Sequence, residues 1–147
     1  MPAFDTPIYE TQVAALSNGA TRADVNSTAR KLHLAAINYK LKGTEATNDT
    51  LNVIKLPKGA QVVPGLSYVH CDDPGTTLTV SVGISGAATK YSTAMTVSSG
   101  GLVRFTPGVV DPENLAAMTD ILATFASVDT PTAGADLWFV LAYTLPQ

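Results

Sequence analysis

The sequence predicts an all-β fold: a jelly-roll-like β-sandwich of about eight strands with an extended N-terminal arm. Three observations predict it. Apolar and polar residues alternate with a period of two in several short segments, the mark of strands buried on one face. Turn signals rich in Gly, Pro, Asn and Asp separate those segments at short, fairly regular spacing. The 147 residues are 46% hydrophobic and only 14% charged, against ~25% charged for an average globular chain. Thr, Ala, Val, Leu, Ser and Gly dominate, which suits strands and a surface of hydroxyls. One domain is expected, burying roughly 70% of the surface the unfolded chain would expose.

The elements follow in order. Residues 1–29 read as an arm: Phe4, Ile8 and Tyr9 are scattered among polar residues, and Thr6-Pro7 offers one short capped turn. The sandwich is assigned to residues 30–147. Ile37, Tyr39 and Leu41 alternate with Asn38, Lys40 and Lys42, a half-buried strand. After a turn over residues 43–49, Leu51 and Val53 share one parity while Ile54 and Leu56 share the other, which predicts a bulge. Pro57-Lys58-Gly59 turns the chain into a strand over Val62 to Cys71, interrupted at Pro64-Gly65. Asp72-Asp73-Pro74-Gly75 is a turn.

Thr77 to Ile84 alternates most cleanly, with Leu78, Val80, Val82 and Ile84 facing in. Ser85 to Ala88 turns into a weaker strand over Tyr91 to Val97, and Ser98 to Gly101 turns into Leu102 to Phe105. Asp111-Pro112-Glu113 carries a helix-start signature and predicts a short helix through Leu115 to Met118. Ile121 to Val128 and Leu137 to Leu145 complete the strands. The last is apolar on both faces, so it is either a central strand or a subunit contact, with Leu137, Trp138, Phe139 and Val140 as candidate self-association residues.

The totals exclude several functions. A net charge of −3 argues against a nucleic-acid partner. The charge is uneven: residues 1–44 hold five basic and three acidic residues, and the remainder four basic and nine acidic. The longest purely apolar run, Leu137 to Tyr143, is far too short to span a membrane. The opening Met-Pro-Ala-Phe-Asp lacks the charged and apolar regions of a signal peptide, so the sequons at Asn26 and Asn48 read as chance. A single cysteine, Cys71, permits no intrachain disulfide.

No constellation for catalysis emerges. His70 and Cys71 are neighbours on a strand and point to opposite faces. Cys and His together supply three ligands where zinc takes about four. Asp49, Asp72 and Asp73 match no calcium loop and read as turn aspartates. Phosphate-binding and nucleophile-elbow glycine motifs are missing. Neither a catalytic residue, a metal site nor a cofactor is assigned, and an enzyme is not expected. Tyr68, Tyr91, Trp138 and Tyr143 would suit a sugar-stacking face, although rings on alternating strands are usually core.

The stretch "DTLNVIKLPKGAQVVPGLSYVHCDDPGTTLTVSVGISGAATKYSTA" resembles small structural proteins of tailed bacteriophages, and "ADLWFVLAYTLPQ" is similar to their terminal strand. Several of these resemble capsid cement or decoration proteins with jelly-roll-like folds. The resemblance spans about residues 30–145 and lies in strand order and turn chemistry. Relatives often carry an acidic loop where this chain has Val82 to Tyr91, so an ion-binding role there is not expected. The resemblance implies a decoration protein made in the host cytoplasm and placed on the outer surface of the virion head, where it bridges capsid subunits. Its partners would be the major capsid protein and itself, as a homotrimer or a dimer. Phe4, Ile8 and Tyr9 would anchor the arm on the shell. The alternative is a carbohydrate-binding or host-recognition module of a virion fibre or tail.

Overall fold

The computed structural model describes residues 31–97, 101–106 and 113–145. The expected arm, with Phe4, Ile8 and Tyr9, lies outside them. Nine strands run through the described residues: β1 Leu32–Lys40, β2 Thr50–Leu56, β3 Gln61–Val62, β4 Tyr68–Cys71, β5 Thr77–Ile84, β6 Ala87–Thr96, β7 Leu102–Arg104, β8 Thr119–Asp129 and β9 Asp136–Thr144. They form two antiparallel sheets. The first is ordered β1-β9-β4-β7, with β3 also against β9; the second is β2-β8-β5-β6.

The pairings are nested. The hairpin β5·β6 is innermost, followed by β4·β7, β2·β8 and β1·β9. One long hairpin is thus folded over so that successive pairs fall in alternate sheets, the jelly-roll topology. The expected all-β sandwich is what the chain forms. Leu32–Leu145 is a single compact unit.

Inward residues of both sheets meet in one core. β9 contributes Leu137, Phe139 and Leu141, β5 contributes Leu78, Val80 and Val82, and β8 contributes Ile121, Ala123 and Phe125, all buried. Tyr39 of β1 crosses the gap to Phe125, with ring centroids 6.5 Å apart. The parity switch in β2 is a bulge, where the register shifts between Asn52 and Ile54, so Val53 and Leu56 both turn inward. The second half of β5 is buried on both faces. There β6 shifts register twice and crowds Gly83, where a Cβ would meet the Ala87 carbonyl oxygen.

The strand expected over Val62 to Cys71 is interrupted where Pro64-Gly65 predicts, by a 3₁₀ turn, Pro64–Leu66, that separates β3 from β4. Ser67 repairs the gap. It is fully buried, its Oγ donates to the Val63 carbonyl at 2.9 Å, and it accepts the Ala142 N–H of β9 at 2.9 Å. The departure from the sequence reading is the expected helix. Asp111 and Pro112 lie outside the described residues, and Glu113 to Met118 is not helical. Leu115 is buried in the core, its N–H bonds the Ala60 carbonyl at 2.8 Å, and its carbonyl accepts the Gly59 N–H at 2.7 Å. Those backbone groups pair with another segment, so no helical bond forms there; tertiary burial overrides the local cap signal.

The corner from β1 to β2 is held by Glu45. One carboxylate oxygen accepts the Tyr39 hydroxyl at 2.9 Å and the Lys42 N–H at 2.6 Å; the other accepts the Gly43 N–H at 2.9 Å. Burial alone would raise the Glu45 pKa, but these donors and its own N–H outweigh that and hold it below the ordinary value. Burial and the same hydrogen bond push the Tyr39 phenol up to about 12.

Ser67→Ala leaves the buried Ala142 N–H without its acceptor and should cost about 1–3 kcal/mol of unfolding free energy, read by urea titration. Glu45 makes the corner acid-sensitive. Its folded pKa is lower than its unfolded one, so its contribution is complete above the ordinary value of 4.5 and is lost as pH falls below it. The melting-temperature gap between the native chain and Glu45→Gln should therefore be widest near neutral pH and narrow on acidification.

Candidate functional site

The register of the first sheet fixes what its outer face presents. Antiparallel neighbours share a face, so Asn38 of β1, Trp138 of β9, His70 of β4 and Leu102 of β7 form one row across the sheet. Ala36, Val140, Tyr68 and Arg104 form the next. Beyond these rows, Leu34 and Leu32 continue the outer side of β1. The face is rich in apolar groups in contact with water: Leu34 is 64% exposed, Leu102 66% and Trp138 37%.

Among the described residues, six large hydrophobics are exposed, and five of them (Leu32, Leu34, Leu66, Leu102 and Trp138) belong to this face or to the 3₁₀ turn beside it. Single exposed apolar side chains are ordinary; a cluster on one face marks a surface that another molecule covers. The opposite sheet has a different exterior, with Thr50, Asn52 and Thr96 exposed and Lys55 3.4 Å from Asp120.

Polar groups rim the apolar face. Lys40 Nζ lies 2.9 Å from Asp136 Oδ1, and Asn38 donates to the same oxygen at 3.1 Å. Hydrogen bonding to Lys40 and then to Asn38 lowers the Asp136 pKa. His70 has the Gly101 carbonyl 3.0 Å from Nδ1 and Asp72 Oδ1 3.1 Å from Nε2. Leu66, Tyr68, Leu102 and Arg104 line a shallow groove of about 170 Å³.

The predicted self-association residues divide by parity. Leu137 and Phe139 have no exposed surface and fill the chain's own core. Trp138 points outward and Val140 is half-buried on the same outer side. β9 is central, paired on both sides, and its outer face is still open.

The remaining candidate residues scatter. Cys71 is fully buried and His70 faces out. Burial pushes the Cys71 thiol pKa up, against the lowered value a nucleophile needs. His33 stacks on Tyr143 with centroids 5.5 Å apart. Asp49 accepts the Ala46 N–H and Asp73 accepts the Gly75 N–H, so both carboxylates hold turns. Among the described residues, no three His, Cys, Asp or Glu side chains gather as a metal site would require. Of the four rings considered for sugar stacking, Tyr91 is buried and Tyr143 is taken by His33; Tyr68 and Trp138 share the open face. An open cavity of about 370 Å³ at the Glu45 corner is lined by Tyr39, Asp49 and Phe125, among others. The corner's hydrogen bonds already occupy its carboxylates.

Sequence reasoning missed Leu32, Leu34, Leu66 and Leu102 as surface groups. For the first two the signal was present: both are at even positions, out of phase with the inward Ile37, Tyr39 and Leu41.

No protein-family profile matches the chain, and no curated protein matches it in sequence. Solved structures do. The chain is similar to one in the cyanophage Pam1 capsid asymmetric unit, with a TM-score of 0.68 and 24% identity, covering 99% of this chain and 100% of that one. It is similar to a chain in the capsid of Ralstonia phage GP4, with a TM-score of 0.62 and 22% identity over 89% of this chain and 95% of that one. A chain in the acid-stable capsid structure of Helicobacter pylori bacteriophage KHP30 matches with a TM-score of 0.56 and 19% identity over 81% and 92%. At these identities the shared property is the fold.

Adjacent residues of β9 should differ sharply in the cost of truncation. Phe139→Ala opens a core cavity and should cost about 3–5 kcal/mol. Trp138→Ala removes an outer ring and should cost well under about 2 kcal/mol. Denaturant midpoints of the two variants check this directly.

Proposed function

We propose that this chain is a bacteriophage capsid cement or decoration protein. It binds the outer surface of the head shell and stabilises it by bridging capsid subunits. The observation that carries the reading is the open apolar face of the first sheet, on a fold shared almost end to end with a chain of a phage capsid. The sequence resemblance to phage head proteins, drawn from turn chemistry and strand order, supports it independently.

The mechanism is burial of surface rather than catalysis. Val140, Trp138, Tyr68, Leu102 and Leu34 supply apolar area worth roughly 25 cal/mol per Å² removed from water. A central aromatic such as Trp138 is the type of side chain that dominates such contacts. The arm, residues 1–29, lies across the shell with Phe4, Ile8 and Tyr9 as anchors. The chain acts as a homo-oligomer, so several modest contacts per assembly add through multivalency. Its partners are the major capsid protein and further copies of itself, on the outside of a virion assembled in the host cytoplasm.

Expanded heads lacking this protein should bind it back stoichiometrically in a co-sedimentation assay and resist heat better once bound. Trp138→Ala should weaken that binding about tenfold or more, equivalent to ~1.4 kcal/mol or more per contact. Removal of residues 1–29 should leave a folded sandwich that no longer decorates. Full binding by both variants would sink the reading. A glycan-recognition module is the second reading, favoured by Tyr68 and Trp138 sharing one open face; retention on a glycan array with no binding to heads would select it.

A further inference from the structure

The two sheets have four edges, and three of them are defended. β7 is three residues long. β2 carries a bulge between Asn52 and Ile54. β6 shifts register twice against its neighbour. Shortness and bulges are devices that keep an edge from pairing with another chain. The fourth edge, β1, has neither. It is nine residues long and pairs with β9 in unbroken register from Leu32 to Lys40. No described strand covers its other side. It contains no proline. Its one lysine, Lys40, is turned back towards β9 by Asp136 at 2.9 Å.

An antiparallel edge is its own complement: rotated by a two-fold axis, its donors and acceptors meet those of a second copy. We propose that β1 pairs with β1 of a second copy of this chain across a two-fold axis at Ala36, joining two first sheets into one continuous sheet. In that register Ala36 meets Ala36, the smallest exposed side chain of the strand at the point of closest approach. Leu34 meets Asn38, Leu32 meets Lys40, Ala35 meets Ile37 and His33 meets Tyr39. No two formal charges of like sign face each other. The hydrocarbon stem of Lys40, held by Asp136, lies over the exposed Leu32 of the partner.

The choice of a second copy as occupant rests on this self-complementarity and charge arrangement. The partner's edge is as long and as regular as β1 itself, and the outer apolar faces of both copies become continuous. The pairing stands apart from the capsid reading: it concerns the free protein, and failure to bind heads would leave it untouched.

The test uses the full chain. Sedimentation of the native protein should give twice the chain mass. Ala36→Lys and Ala36→Glu, both at an exposed position, should each sediment as a monomer with an unchanged circular-dichroism spectrum, because like charges then oppose across the axis. Mixed in equal amounts, the two variants should regain the dimer mass. Ala36→Cys should form a disulfide-linked dimer on mild oxidation, since paired Cα atoms of facing strands lie about 4.5–5.5 Å apart. Asn38→Cys should not, because its partner across the axis is Leu34. A native monomer at all concentrations overturns the proposal. So does a native trimer, or a dimer that is indifferent to Ala36→Lys and leaves Ala36→Cys uncrosslinked.

Discussion

The architecture depends on β9 serving two neighbours and two faces at once. It is the strand against which β1, β3 and β4 all assemble, and its inward residues Leu137, Phe139 and Leu141 are spent wholly in the core. Its backbone is committed on both sides, including at Ala142, where the sheet would otherwise be interrupted. Ser67 accepts that N–H, and the Val63 N–H meets the Ala142 carbonyl at 2.8 Å. A proline-induced break in one strand is therefore absorbed without leaving the central strand unpaired. This is the general requirement that buried backbone groups find partners, met here by one hydroxyl.

With β9 fixed in this way, the division of the surface follows from parity alone. A central strand that is apolar on both faces buries one face inside the sandwich and leaves the other outside, because neighbouring strands cover its edges and not its faces. Trp138 is exposed for that geometric reason. The same parity brings Tyr68, Leu102 and Leu34 onto the exterior of the same sheet, while the second sheet exposes hydroxyls. The two exteriors therefore differ in kind: one clusters exposed apolar groups, the other exposes hydroxyls, amides and an ion pair.

Much of the fold was legible in the residues. The alternation of Leu78, Val80 and Val82, the parity switch at Val53 and Ile54, and the turn at Asp72 to Gly75 each correspond to an observed element. The failures have physical causes. Asp111-Pro112-Glu113 carries the local chemistry of a helix start, yet Leu115 ends up bonded to Gly59 and Ala60, distant in sequence, and no local rule reports such a contact. The surface was only half legible. The last strand could be recognised as apolar on both sides, but deciding that Leu137 and Phe139 go in while Trp138 stays out requires knowing where the opposing sheet lies. Leu102 carried no distinguishing signal, because its exposure follows from the register of β7 against His70.

The nesting of the pairs also sets the order in which the molecule can be made. Only the β5·β6 hairpin is local; every other pair joins strands progressively farther apart, out to β1 with β9. Topologies dominated by such distant contacts fold slowly. The strand at the centre of the first sheet is the last of the nine to leave the ribosome. Until it emerges, β1 and β4 have no common neighbour, and the inner faces of the first sheet stay open to water. A nascent chain halted before Asp136 holds all four strands of the second sheet and the β4·β7 pair, but lacks the strand that joins β1, β3 and β4 into the first. For a protein of this topology, the emergence of β9 and the closing of the first sheet are nearly the same event.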